Sequence, residues 1–155
     1  YQIPTWRDSF KRRRCLVPIT EAIESCYLGE FAGSIVGFKA PDPFMLAAGL
    51  WDRWIDKTTG EVHDGFALVT IFPTQAVFEA GHHRLIYIPK PEFYEDWLNP
   101  HANPLEIYQK IIPNRLEVPL SVNEKRRMKT GWEKRAPTAE DWLMPQLEKP
   151  AYLPV

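Results

Sequence analysis

Apolar residues fall along this chain in short runs, cut by prolines and glycines, and the period of the runs changes on the way. Residues 4–14 open with a proline suited to a first helical turn, place Trp6 and Phe10 one turn apart, and end on Lys11, Arg12, Arg13 and Arg14. Aromatics at that spacing share a helix face and cations favour a helix C-terminus, so a short helix is expected. Residues 15–18, Cys-Leu-Val-Pro, read as a buried strand stopped by its proline. Residues 22–27 and 34–39 predict two more strands, joined by a glycine-containing turn. Residues 44–54 are mostly apolar with Gly49 inside, the pattern of a central strand with a close backbone approach or a bulge. A polar turn at 57–60 then leads back into a strand over 65–72.

After Pro73 the character changes. Residues 76–81 predict a short helix ending on glycine, 85–88 a further apolar strand, and 90–98 a helix with an early proline and acids in its first turns. Residues 104–110 suit another helical segment and 116–121 another strand; from Asn123 onward the chain is polar. Strands outnumber helices, the helices are short, and no regular βαβ alternation appears. The expected fold class is α+β, with a largely antiparallel, barrel-like sheet in a single domain. A length of 155 residues is enough for one real core and cramped for two.

Composition sharpens this in three places. Fifteen prolines against eight glycines favour short strands and ordered connections over long helices. A net charge of −1 excludes a long nucleic-acid footprint, which needs a strong basic excess, and leaves room only for a local patch. Two cysteines, Cys15 and Cys26, make neither a disulfide framework nor a metal spacing, and nothing resembles a signal peptide or membrane span. The default is a reduced, cytoplasmic setting. No metal site, glycine-rich phosphate loop or Gly-x-Ser-x-Gly elbow is present, so no cofactor is expected.

Few residues are candidates for chemistry. His63 in the polar turn and His101 in a proline-rich loop read as solvated. His82 and His83 follow a glycine-ended turn and lead into an apolar strand, with Arg84 beside them. An imidazole can move protons near neutrality and a guanidinium can hold a phosphate or carboxylate. Glu24 lies inside the apolar stretch at 22–27; it either faces outward or is placed for proton transfer. The basic run at 11–14 is either a solvated helix end or a contact to a nucleic-acid backbone.

The run Arg13-Arg14-Cys15-Leu16-Val17-Pro18, followed by Glu24, resembles the signature of the SOS-response-associated peptidase (SRAP) family, Arg-Arg-Cys-Leu-x-Pro with a downstream glutamate. Ala48-Gly49-Leu50-Trp51 is similar to that family's Ala-Gly-Leu-Trp strand. Thr70 followed by His82-His83-Arg84-Leu85 is similar to its His-x-Arg-Met-Pro region, residues 91–98 to its helix ending in Trp-Leu, and Val122-Asn123 to a late Val-Asn element. The pieces occur in family order over nearly the whole chain. Two departures mark a divergent member, of bacterial or phage origin. Glu21-Ala22-Ile23-Glu24-Ser25 stands where the family has Gly-Phe-Tyr-Glu-Trp, and Leu85-Ile86 where it has Met-Pro.

The resemblance implies a protein that handles abasic sites in single-stranded DNA, working as a monomer without cofactor. In the family, the Cys exposed by removal of the initiator Met condenses with the abasic-site aldehyde to a thiazolidine. That Cys, and an Asn in an Asn-Ala-Arg motif, are expected on a segment ahead of Tyr1, because the opening Tyr1-Gln2-Ile3-Pro4 reads like the middle of a polypeptide. Glu24 matches the glutamate that handles protons for the amine and thiol and assists Met removal. His82 matches the acid/base on the opened sugar, and Arg84 matches the residue on a flanking phosphate. Arg13, Arg14 and His83 are the further expected DNA contacts. Two alternatives stand beside this: a non-catalytic single-strand-binding module on the same fold, and a peptidase acting only on its own leader.

Overall fold

The computed structural model describes residues 4–138 and Trp142. Its first helix, α1 (Pro4–Arg12), ends two residues before the expected limit, because Arg14 already pairs with Leu50 in a sheet. Strands β1 (Arg14–Ile19), β2 (Ala22–Cys26) and β3 (Ser34–Lys39) follow, then β4 (Met45–Ile55) and β5 (Val62–Leu68). β4 is the centre of an antiparallel sheet in the order β1-β4-β5. The close approach expected at Gly49 is there: a Cβ at that position would lie 2.8 Å from the Cys15 Sγ across the ladder.

The strand expected over 65–72 begins earlier, at Val62, and breaks at Val69. That residue donates to the Ala48 carbonyl and accepts from the Tyr87 N–H, at 2.9 and 2.8 Å. The chain therefore changes partner there, and β6 (Thr70–Ile71) pairs instead with β7 (Leu85–Ile86). Between them lies helix α2 (Gln75–Glu79). The helix expected over 90–98 is a 3-10 turn followed by α3 (Tyr94–Leu98). The segment at 104–110 is α4 (Pro104–Glu106) running into a π-helical turn.

One element differs outright. The strand expected at 116–121 forms no ladder before Ser121: the Leu116 N–H donates to the Ile88 carbonyl at 2.8 Å, Val118 and Leu120 pack partly buried against the core, and Pro119 has no N–H for a ladder. The last strand is the polar segment β8 (Ser121–Arg127), which adds to the edge of β3 and completes the sheet β2-β3-β8. An edge strand with an outward face can carry charge throughout, so its sequence shows no apolar alternation. The fold is α+β and antiparallel; among the described residues the ladders form three sheets and do not close into a ring.

Among the described residues, a small apolar cluster of Ala40, Met45 and Ile88 and two larger ones hold these layers. One packs β2, β3 and β4 against α2 and β7 through Val36, Phe38, Ala47, Val77 and Leu85. The other gathers Phe10, Tyr87, Ile107 and Ile111 around Trp97, which is fully buried. Phe10 and Tyr87 meet the Trp97 ring edge-on, at 6.2 and 6.0 Å. Its indole N–H donates to the Cys15 carbonyl at 2.8 Å, so its one polar atom is satisfied. Beyond Leu50 the β4–β5 hairpin is exposed on both faces, with Trp54 stacked on His63 and Arg53 paired with Asp64. No helix among the described residues is long and apolar enough to cross a membrane.

Candidate active site

Side chains on a strand alternate, and on β2 the alternation puts Ala22, Glu24 and Cys26 on one side. Ala22 and Cys26 are buried in the core, while Ile23 faces solvent at 59% exposure. Glu24 is thus a carboxylate on the core side of its strand, at the point where that side opens to a cleft of about 360 Å³. Its side chain keeps 29% exposure, enough to be reached from outside.

His82 arrives from the other core layer. Helix α2 is short and capped at both ends. Thr74 accepts from the Val77 N–H at its start, and at its end the N–H groups of Gly81 and His82 bond back to Phe78 and Val77. This is a Schellman closure with Gly81 in the left-handed position, φ +94°. The turn is laced onto the end of β2 by two bonds. The Tyr27 N–H donates to the Gly81 carbonyl at 2.8 Å, and His82 Nδ1 donates to the Ser25 carbonyl at 2.8 Å.

A carbonyl only accepts, so Nδ1 carries the proton and the ring's other nitrogen is left to the cleft. That nitrogen, Nε2, lies 3.5 Å from Oε2 of Glu24. The cleft thus brings an imidazole nitrogen and a carboxylate oxygen to 3.5 Å of each other, with the imidazole anchored through Nδ1. His82 itself is 4% exposed.

Neither cysteine is an activated thiol. Burial, with a smaller contribution from the Glu24 charge, pushes the Cys26 thiol up to about 11. Burial also raises the Cys15 thiol, which lies outside the cleft. Among the described residues no group of three or more His, Cys, Asp or Glu could hold a metal ion.

His83 and Arg84 complete the near wall. The His83 ring stands 5.0 Å from that of His82 and 5.5 Å from that of Trp142. Arg84 is exposed at the rim. Arg13 and Arg14 lie elsewhere. Arg13 reaches across β4 to Asp52 at 3.2 Å and to the Trp51 carbonyl. Arg14 is 5% exposed, with its guanidinium bonded to the carbonyls of Trp97, Asn99, Phe10 and Lys11. It closes the C-terminal ends of α1 and α3 from inside, with four of its five N–H donors committed to backbone carbonyls. Sequence reasoning passed over Tyr27 and Arg135, which also line the cleft. Tyr27 was masked by its place at the end of a strand, and Arg135 by a tail read only as polar. The available signal was Gly131-Trp132, a glycine and an aromatic amid charges.

The profile of the family described as SOS response associated peptidase (SRAP) matches residues 1–124. The chain belongs to the SRAP family. Two solved structures are similar to this SRAP chain. A protein from Bacteroides thetaiotaomicron is 27% identical with a TM-score of 0.67, over 81% of this chain and 54% of that one. A protein from Bordetella bronchiseptica shares the fold at 23% identity and a TM-score of 0.62, over 81% of this chain and 61% of that one. The chain thus spans little more than half the length of these structures. No curated protein matches it.

Proposed function

We propose that this SRAP chain supplies the proton-handling half of an active site that captures abasic sites in single-stranded DNA, in a cytoplasmic setting. The nucleophile is the N-terminal Cys of a segment preceding Tyr1, within the same domain. Its α-amine attacks the sugar aldehyde and water leaves, giving an imine. Its thiol then adds across the C=N bond, the sulfur to carbon and the proton to nitrogen, closing a thiazolidine. Both stages move protons near neutral pH, where a carboxylate–imidazole pair is suited to relay them. Glu24 serves the amine and thiol and assists loss of the initiator Met, His82 serves the sugar oxygen, and Arg84 and His83 hold the strand beside it.

The observation that carries this reading is the 3.5 Å contact of Glu24 with His82 in an open cleft, with the imidazole fixed from behind by Ser25. A net charge of −1 accords with a short single-stranded site contacted at few phosphates. The test is incubation of the full-length protein with an abasic single-stranded oligonucleotide, followed by heating in detergent. A heat-stable adduct, lost when the N-terminal Cys is changed to Ala, is expected. Single-strand binding without adduct, with that Cys in place, would overturn it in favour of a non-catalytic binding module.

A further inference from the structure

We propose that Arg135 forms with Arg84 a two-point cradle, which selects a sugar bearing a phosphate on each side over one at a strand end. This rests on the reading of the site just given and names the substrate it prefers. The segment that carries Arg135 lies beyond the part of the chain that the family profile matches, residues 1–124.

That segment is seated by its own packing. The Met128 N–H donates to the Gly33 carbonyl at 2.8 Å, carrying the β8 register on to the β2–β3 turn. Gly131, at φ +85°, then turns the chain into the 3-10 turn Trp132–Arg135. The Trp132 indole rests on Gly33, where a Cβ would stand only 2.9 Å from its Nε1, and its ring lies 6.1 Å from that of Tyr27. Tyr27 borders the cleft, so an indole docked on it delivers Arg135 to the cleft wall.

The charges there are unbalanced. Arg13, Arg53, Arg115 and Arg127 each pair with a carboxylate. Among the described residues, no carboxylate lies within ion-pair distance of the Arg84 or Arg135 guanidinium, and both line the one cleft with Glu24. Two forked cations lining one cleft with the Glu24–His82 pair match the two phosphodiesters on either side of a reacting carbon.

The test uses three single-stranded oligonucleotides carrying a tetrahydrofuran abasic analogue, which has no aldehyde and forms no adduct. In one the analogue is internal, in one it is the 5′ end without its 5′ phosphate, and in one the 3′ end without its 3′ phosphate. Dissociation constants are measured for full-length wild type, Arg135→Gln, Arg135→Lys and Arg84→Gln. Each Gln variant should bind the internal analogue about tenfold more weakly, the scale of one charge-assisted hydrogen bond. The Arg135→Gln penalty should vanish on one end-placed analogue and the Arg84→Gln penalty on the other, and Arg135→Lys should recover most of the affinity. An Arg135→Gln penalty that is absent, or equal on all three oligonucleotides, overturns the cradle. Adduct formation by wild type on a true abasic site, run alongside, shows whether the underlying reading stands. Wild type that binds none of the three overturns the cradle, and wild type that also forms no adduct overturns both.

Discussion

A Cβ on residue 81 would lie 1.9 Å from the carbonyl oxygen of Leu28, so Gly81 and Leu28 occupy backbone space that no side chain can share. The same glycine is in the left-handed region at φ +94° and is bonded through its carbonyl to Tyr27. Gly81→Ala must therefore both strain its own backbone and push the turn away from β2. We expect a loss of roughly 2–4 kcal/mol in urea denaturation, from combined strain and overlap. Because His82 follows directly, the variant should also lose the Ser25 anchor. A variant of wild-type stability would show that the turn is not wedged as described.

Arg13 and Arg14 are adjacent in sequence and opposite in consequence. Arg14 is buried with its donors on four carbonyls, and Lys offers neither the fork nor the reach to replace it. Arg14→Lys should cost about 3 kcal/mol, the scale of an unmet buried charge and lost bonds to it. Arg13→Lys breaks a half-exposed pair with Asp52 and should cost about 1 kcal/mol or less. Thermal unfolding of the two variants checks the contrast. Equal midpoints would show that Arg14 is not structural.

Much of this architecture was written in local pattern, and the parts that were not have physical causes. Residues 34–39 are a short, mostly apolar run behind a glycine-containing turn, so the strand could be read to its ends. β8 could not, because an edge strand pairing with β3 through its backbone needs no apolar face. The break at Val69 is set by Ala48 and Tyr87, residues distant in sequence that no window contains. At the site, Glu24 stood out as a carboxylate between apolar neighbours. Which way it faced depended on the core lying behind Ala22 and Cys26, a tertiary fact. Arg14 showed the reverse failure: a basic run reads as solvated, and only packing against Trp97 reveals that one of its cations is interior.

Cys26 provides a pH prediction. Its thiol is raised from 9.0 to about 11 in the folded chain by burial and by Glu24. Above the unfolded value, the unfolded chain gives up a proton that the folded chain keeps, so stability falls as pH rises. The contribution of this thiol should be flat below pH 9 and decline from there to about 11, and Cys26→Ala should flatten that limb while lowering stability overall. Chemical denaturation across this range checks it. In native protein at pH 8, a thiol reagent should label Cys26 only on unfolding; rapid native labelling would contradict the burial.

The contact between His82 Nε2 and Glu24 Oε2 makes a kinetic prediction that two independent residues would not. If Glu24 acted only on the attacking amine and His82 only on the sugar, their losses would multiply in the double variant. A pair that exchanges one proton behaves as a unit, because removing either partner leaves the other with nothing to relay to. Glu24→Gln and His82→Gln should each slow adduct formation, by on the order of 100-fold for lost general acid–base help. Glu24→Gln/His82→Gln should be little slower than the worse single variant. The anchor adds a control: Ser25 bonds through its backbone carbonyl, so Ser25→Ala should leave the rate near wild type. Rates of adduct formation for wild type and the four variants, measured in single turnover, decide the matter. Multiplying losses would mean that the short distance between these groups is structural proximity and not shared chemistry.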